Sequence, residues 1–240
     1  MAKPLQVCVV GVRWPLETFV ERLLRGLAED GVQVTLACAQ KPEPAWLQST
    51  GVRWLYAPAG YQIRPHQLGQ LAVQALRAIV FARNDLKRLC THFPASKRLA
   101  ASLATWDSLL PFAGRRWDVL YFPWISAAIG QQPLFALGMP AVVSCRGSQI
   151  LVAPHNPRRR ILSQGLEVIF SRASAVHCIC KAIRDEAMQF KLDPAKVKIL
   201  YPAVDPEYFY DLTRNERDQD DTIFRIISVS SLVWVKGYEY

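Results

Sequence analysis

Residues Gln6–Ala39, QVCVVGVRWPLETFVERLLRGLAEDGVQVTLACA, decide the fold. Gln6 to Val12 is a short Val-rich run of the kind that forms a strand buried on both faces of a parallel sheet. After the loop Arg13-Trp14-Pro15-Leu16, Phe19, Val20, Leu23, Leu24 and Leu27 fall on one face of a helix from about Glu17 to Asp30, opposite Glu21, Arg22, Arg25 and Glu29. Gly31 supplies the residue that ends such a helix, and Val32 to Ala39 is a second strand. A strand, helix and strand in this order cross over right-handedly, so the two strands pair in parallel. The expected fold is α/β, a doubly wound, mainly parallel, Rossmann-like sheet.

The pattern continues along the chain. Val52 to Ala57 reads as a third strand, Leu68 to Leu89 as one long helix, and Ala95 to Leu110 as a helix burying Leu99, Leu103, Trp106 and Leu110. Asp118 to Phe122 is a fourth strand, and the helix after it, about Ser126 to Leu137, is stopped by Gly138 and Pro140. The fifth strand, Ala141 to Cys145, delivers Arg146-Gly147-Ser148 to the strand ends where doubly wound sheets bind ligands. A helix from Asn156-Pro157 to Arg172, a strand from Ala175 to Cys180, a helix from Ala182 to Phe190 and a strand from Val197 to Leu200 complete this part. Tyr210 to Thr222 is polar and charged, as an interdomain linker would be.

In the last stretch, FRIISVSSLVWVKGYEY from Phe224 to Tyr240, Ile226, Ile227, Val229 and Leu232 read as another strand buried on both faces. Lys236-Gly237 then falls where a helix should begin, a place suited to phosphate because backbone N–H groups, the helix dipole and a Lys charge converge there. The expected organisation is residues 1–209 as one Rossmann-like domain, 210–222 as linker and 223–240 as the start of a second, phosphate-binding domain.

Composition narrows the function. Twenty-nine Lys and Arg against 20 Asp and Glu give a net charge of +9, which favours phosphorylated substrates, a membrane surface or nucleic acid. No nucleic-acid motif and no GxxxxGK[ST] loop is present, so phosphates account for the charge. No apolar run approaches the ~18 residues of a membrane span, and a cytosolic chain is expected. The six cysteines lie mostly in strand-like runs, where reduced thiols pack as small hydrophobes. Cys178 and Cys180 with His177 invite a metal reading, but neighbouring strand residues point to opposite faces, and no metal site is expected.

Several segments resemble the GT-B glycosyltransferases of the family 4 type, retaining enzymes that use nucleotide-activated sugars. The likeness is carried by Pro15 to Gly31, by Cys145-Arg146-Gly147-Ser148, and by Ala175 to Phe209 leading into SVSSLVWVKG. It implies that this chain is mostly the acceptor half, with the donor site completed beyond Tyr240. It implies a nucleotide sugar as donor substrate, a glycan or lipid-linked acceptor, and no further cofactor. Arg146 corresponds to a family His or Arg near the transferring sugar, and Lys236 with Gly237 would meet the donor diphosphate. Ser231 stands where the family usually has a phosphate-binding Arg, a change from a charged fork to a hydroxyl that costs about 1.5 to 3 kcal/mol for such a contact. Gly11 lies where the family's loop often carries paired glycines, and Gln149 where it often has Asp.

Each candidate has a plainer alternative. Gly11 lines the site or simply turns the chain after the first strand, and Arg13 meets a phosphate or is solvated. Glu17 and Thr18 are acceptor contacts or first-turn helix residues that suit the dipole. Arg146 acts in the site or closes its loop through an ion pair, while Gly147 permits close backbone approach beside Ser148. Arg158, Arg159 and Arg160 oppose the dipole of the helix they begin, which points to an anionic membrane surface or lipid-linked phosphate, or else to a solvated charge run. His66, His92, His155 and His177 lack partners at recognisable spacing and read as structural or surface residues.

Two other functions compete. A non-catalytic binding domain of a membrane or polysaccharide assembly would keep the fold without donor chemistry, and Ser231 favours it. A dinucleotide-dependent oxidoreductase would need the second and third glycines of GxGxxG, which Gly11-Val12-Arg13-Trp14-Pro15-Leu16 lacks. A further segment with paired glutamates seven residues apart would decide for the transferase.

Overall fold

The computed structural model describes residues 3–58, 67–92, 99–156, 160–204, 226–230 and 238. The chain divides into two compact units, Met1–Pro202 and Ala203–Tyr240. In the first unit the strands are β1 (Gln6–Val10), β2 (Gln33–Cys38), β3 (Arg53–Tyr56), β4 (Val119–Phe122), β5 (Ala141–Cys145), β6 (Ala175–Cys178) and β7 (Val197–Ile199). All pair in parallel in the order β3-β2-β1-β4-β5-β6-β7. This is the doubly wound Rossmann-like sheet expected from the opening residues.

Alternation along the strands fills two layers. Cys8 and Val10 of β1 join Leu120 and Phe122 of β4 in one core, while Val7 and Val9 face the other with Val34, Leu36, Val20 and Leu24. Helix α1 (Thr18–Glu29) and the short α2 (Pro44–Thr50) lie on the second face, α2 contributing Trp46, whose indole donates to Glu21 at 3.0 Å. The sequence reading passed over α2, although Pro44 at its start and the left-handed Gly51 at its end are its punctuation.

The long helix expected over Leu68–Leu89 is two helices, α3 (Gln67–Phe81) and α4 (Arg83–Thr91). The chain breaks at Ala82, which leaves the helical region and is buried, so that α4 turns to bring Asp85 inward. Asp85 is 3% exposed, takes a two-pronged contact from Arg116 at 2.7 Å and accepts the Gly114 N–H at 2.8 Å. Burial pushes its carboxyl up, but those donors outweigh burial and hold it below the usual range. Past α5 (Leu99–Leu109), a 3-10 turn over Leu110–Phe112 leads to β4.

Helix α6 (Ile125–Gly130) is shorter than expected and passes into a 3-10 stretch, Gln132–Leu137, with Gly138 in the left-handed region. Then come α7 (Ser148–Leu151), α8 (Arg160–Arg172) and α9 (Lys181–Met188). Ala153–His155 forms a 3-10 turn, so the helix expected from Asn156 begins at Arg160.

Of the strand expected in the second unit, the described residues Ile226, Ile227 and Val229 are exposed and irregular, while Leu232 lies outside the described residues. A parallel strand buried on both faces needs a hydrogen-bonded neighbour and a covering layer, and among the described residues of that unit neither is present. The boundaries placed at 209 and 222 lie outside the described residues, as do Ser231, Lys236 and Gly237. No helix among the described residues is long and apolar enough to cross a membrane.

Candidate functional site

The strand order reverses between β1 and β4, so the loops after these strands leave in opposite directions and open a crevice at the ligand edge of the sheet. A cavity of about 850 Å³ fills it. Gly11, Arg13, Glu17, Arg146, Gly147 and Ser148 all line it, brought together from the ends of β1 and β5. Thr18 is not on its wall; it is the exposed first residue of α1. Arg158 and Arg159 lie outside the described residues, and Arg160 is the first residue of α8.

Gly11 has both roles weighed for it. Its φ of +79° turns the chain out of β1, and a Cβ there would stand 2.3 Å from the Cβ of Ala127 on α6, so the missing side chain sets how closely α6 approaches the crevice. Gly147 has a φ of +43° with open space where a Cβ would point; backbone conformation, not crowding, selects glycine there. Glu17 caps α1 through its backbone carbonyl, which accepts from Val20 and Glu21, and leaves its carboxylate at the cavity wall. Gln149 accepts the Ser126 N–H at 3.1 Å, tying the loop after β5 to the start of α6.

Among the described residues no ion pair of Arg146 closes its loop. Its guanidinium carbon lies 4.1 Å from the centre of the Phe19 ring, and Phe19 meets Trp124 edge to face at 5.3 Å. On its other side Arg146 Nε donates to Ser144 Oγ at 3.0 Å. Ser144, wholly buried on β5, stands in register with His177 on β6, and its Oγ is 3.1 Å from His177 Nδ1. His177 Nε2 is 3.0 Å from the Leu200 carbonyl, which can only accept, so Nε2 carries the proton and Nδ1 must accept from the Ser144 hydroxyl. The Tyr121 hydroxyl stands farther from Nδ1, at 3.5 Å. Burial pushes the His177 ring below the usual histidine range; the Leu200 carbonyl works against this and the Arg146 charge adds to it. Every hydrogen bond in this chain thus runs one way, from Arg146 through Ser144 and His177 to Leu200, and holds a guanidinium over the Phe19 ring.

Sequence reasoning set His177 aside because Ser144 lies 33 residues before it and Leu200 23 after it. The visible signal was a hydroxyl in the otherwise apolar Ala141–Cys145 strand. Cys178 pairs in register with the buried Cys145, and Cys180 caps α9. Among the described residues no three His, Cys, Asp or Glu come together as a metal site.

The arrangement suits an anion: two arginines and few acids face a crevice backed by aromatic rings. Among solved structures the chain is similar to Alr3699/HepE of Anabaena in complex with UDP-glucose (16% identity, TM-score 0.45, covering 84% of this chain and 45% of that chain). It is also similar to UGT89C1 of Arabidopsis thaliana complexed with UDP-L-rhamnose (11% identity, TM-score 0.47, 85% of this chain and 53% of that one). A third is UGT73P12 of Glycyrrhiza uralensis complexed with glycyrrhetinic acid 3-O-monoglucuronide (11% identity, TM-score 0.40, 83% and 49%). The chain spans about half the length of each of these structures. No curated protein matches the sequence. The family described as glycosyl transferase 4-like domain matches residues 16–203, well over half the chain and including Glu17, Arg146, Gly147 and Ser148, and the chain belongs to that family.

Proposed function

We propose that the protein transfers a sugar from a nucleotide-sugar donor to a glycan or lipid-linked acceptor, with retention of configuration and without a metal. The observation that carries this reading is Arg146, fixed by Phe19 and the Ser144–His177 relay at the crevice where the strand order reverses. Transfer leaves new negative charge on the departing nucleoside diphosphate, and a preoriented cation aimed at it stabilises the transition state without reorganising. Arg146 takes that part beside the transferring sugar. Gly11 keeps the backbone close to the donor, Arg13, Glu17, Gly147 and Ser148 contact the acceptor from the cavity wall, and Thr18 stands beside them at the start of α1. In this reading residues 1–209 form the acceptor domain, 210–222 the linker and 223–240 the opening of the donor domain, where Lys236 and Gly237 meet the diphosphate and Ser231 gives it a hydroxyl. Arg158, Arg159 and Arg160 present charge to an anionic surface, and the protein works in the cytoplasm.

The test is transfer from a panel of labelled nucleotide sugars by the protein in its full reading frame, with Arg146→Ala and Arg146→Lys. Loss of a preorganised charged donor is expected to lower kcat about a hundredfold or more, with Lys restoring little because it lacks the planar fork. Transfer unaffected by Arg146→Ala would overturn the assignment.

A further inference from the structure

Given the sugar transfer proposed above, we infer that Trp124 makes the crevice selective for a sugar ring as the acceptor, its indole forming the platform and Glu17 taking the ring's hydroxyls. Trp124 stands between β4 and α6, is half-buried and lines the cavity. Its ring meets that of Phe19 at an interplanar angle of 86°. An edge-to-face contact covers at most one face of either ring. Phe19 also has the Arg146 guanidinium carbon over it, 4.1 Å from its centre. Phe19 therefore serves the cation, while Trp124 keeps at least one face that Phe19 does not cover.

The indole N–H sets this residue apart. A tryptophan packed into a fold ordinarily finds an acceptor for that group. Trp46 donates to Glu21 at 3.0 Å, Trp54 to the Cys38 carbonyl at 3.2 Å and Trp117 to Thr35 at 3.1 Å. The Trp124 N–H has no acceptor among the described residues, and the exposed Glu17 carboxylate on the same cavity wall has neither an ion pair nor a hydrogen bond there. A flat apolar face, one N–H donor and an unneutralised carboxylate match a pyranose, which offers a face of C–H groups ringed by hydroxyls that both donate and accept. Neighbouring hydroxyls can donate together to the two oxygens of one carboxylate. An acyl chain would leave the N–H and the carboxylate unpaired, and Glu17 would repel a phosphate. A nucleobase would stack on the indole too, but it carries no hydroxyl for Glu17.

The test is ligand-observed saturation-transfer NMR of the 240-residue chain with methyl glycosides of glucose, galactose and mannose, and with decyl phosphate and uridine diphosphate as separate probes. At least one glycoside is expected to receive saturation most strongly at its ring C–H protons. With circular dichroism showing an intact fold, its affinity is expected to fall about tenfold or more in Trp124→Ala. It is expected to fall severalfold in Trp124→Phe, which keeps a ring without the N–H, and in Glu17→Gln. Saturation of none of the glycosides, or equal affinity in Trp124→Ala and the parent, would overturn the inference. So would decyl phosphate or uridine diphosphate being the only probe that Trp124→Ala releases. Glycoside binding that depends on Trp124 in a protein that transfers no sugar would sink the transfer reading and leave the sugar subsite standing; turnover with no glycoside held at Trp124 would do the reverse.

Discussion

Protonating His177 should weaken the fold and loosen Arg146 at once. In the neutral ring Nδ1 accepts from Ser144; a second ring proton turns it into a donor, so the Ser144 hydroxyl must rotate its own proton away, accept from both neighbours and lose the acceptor it had. The imidazolium would also stand no more than about 6 Å from Arg146 Nε, the two hydrogen bonds of 3.0 and 3.1 Å laid end to end. Two like charges at that distance repel by about 3 kcal/mol at an effective dielectric near 20, and partial solvent access brings this to roughly 1 to 2 kcal/mol. The sign follows from linkage. His177 titrates below its unfolded value of 6.5, so its contribution is complete above pH 6.5 and declines as the pH falls from there through the folded pKa. Urea unfolding at about pH 7.5 and about pH 5, for the parent and for His177→Ala, isolates the effect from the other histidines, because the variant should lose about 1 to 2 kcal/mol of the difference between the two conditions. Nitrogen-detected NMR of the ring should show the proton on Nε2 at the higher pH. An Nδ1–H tautomer, or an unchanged pH difference in the variant, would refute the relay.

Other expectations are simpler to test. Gly11→Ala should destabilise by about 2 to 4 kcal/mol, because the new Cβ meets Ala127 at 2.3 Å and the backbone has φ +79°; thermal unfolding reads it, and a neutral result would mean that α6 can retreat at no cost. Asp107 on α5 is only 2% exposed, its Oδ1 has no hydrogen-bond partner among the described residues, and burial raises its pKa against the Tyr56 hydroxyl that lowers it. Its raised folded pKa means that stability is lost as pH climbs from the unfolded value of 3.8 through the folded one, so Asp107→Asn should stabilise the chain at neutral pH by about 1 kcal/mol, and a variant weaker at every pH would contradict this.

The sheet could be read from local sequence because each of its strands is a compact apolar run between recognisable helices, and Gly31 and Gly138 end their elements as glycine should. The same logic put Arg146, Gly147 and Ser148 at the ligand edge, since a strand end in a doubly wound sheet points there, and they line the cavity. Ala82 was missed because nothing in an Ala-Arg junction breaks a helical pattern; the break is imposed from outside, by Arg116 and Gly114 drawing Asp85 inward. Phe19 read as one residue of its helix's apolar face and Trp124 was passed over, and only their meeting around Arg146 gives them a further use. Ile226–Val229 differs again: an apolar run states what a segment would bury, while what it buries against is written elsewhere.

The register of β5 on β6 carries a consequence for variation. Ser144 faces His177 only because these two strands pair as they do, and Leu200 reaches the ring from just past β7. Residues added to the crossover between β5 and β6 would leave that meeting untouched, whereas one residue inserted within Ala175–Cys178 would turn His177 to the opposite side of the sheet. Length can therefore drift in the connections beyond the cavity-lining residues, while the four residues of β6 are fixed in number by a contact that serves an arginine just past the end of the neighbouring strand.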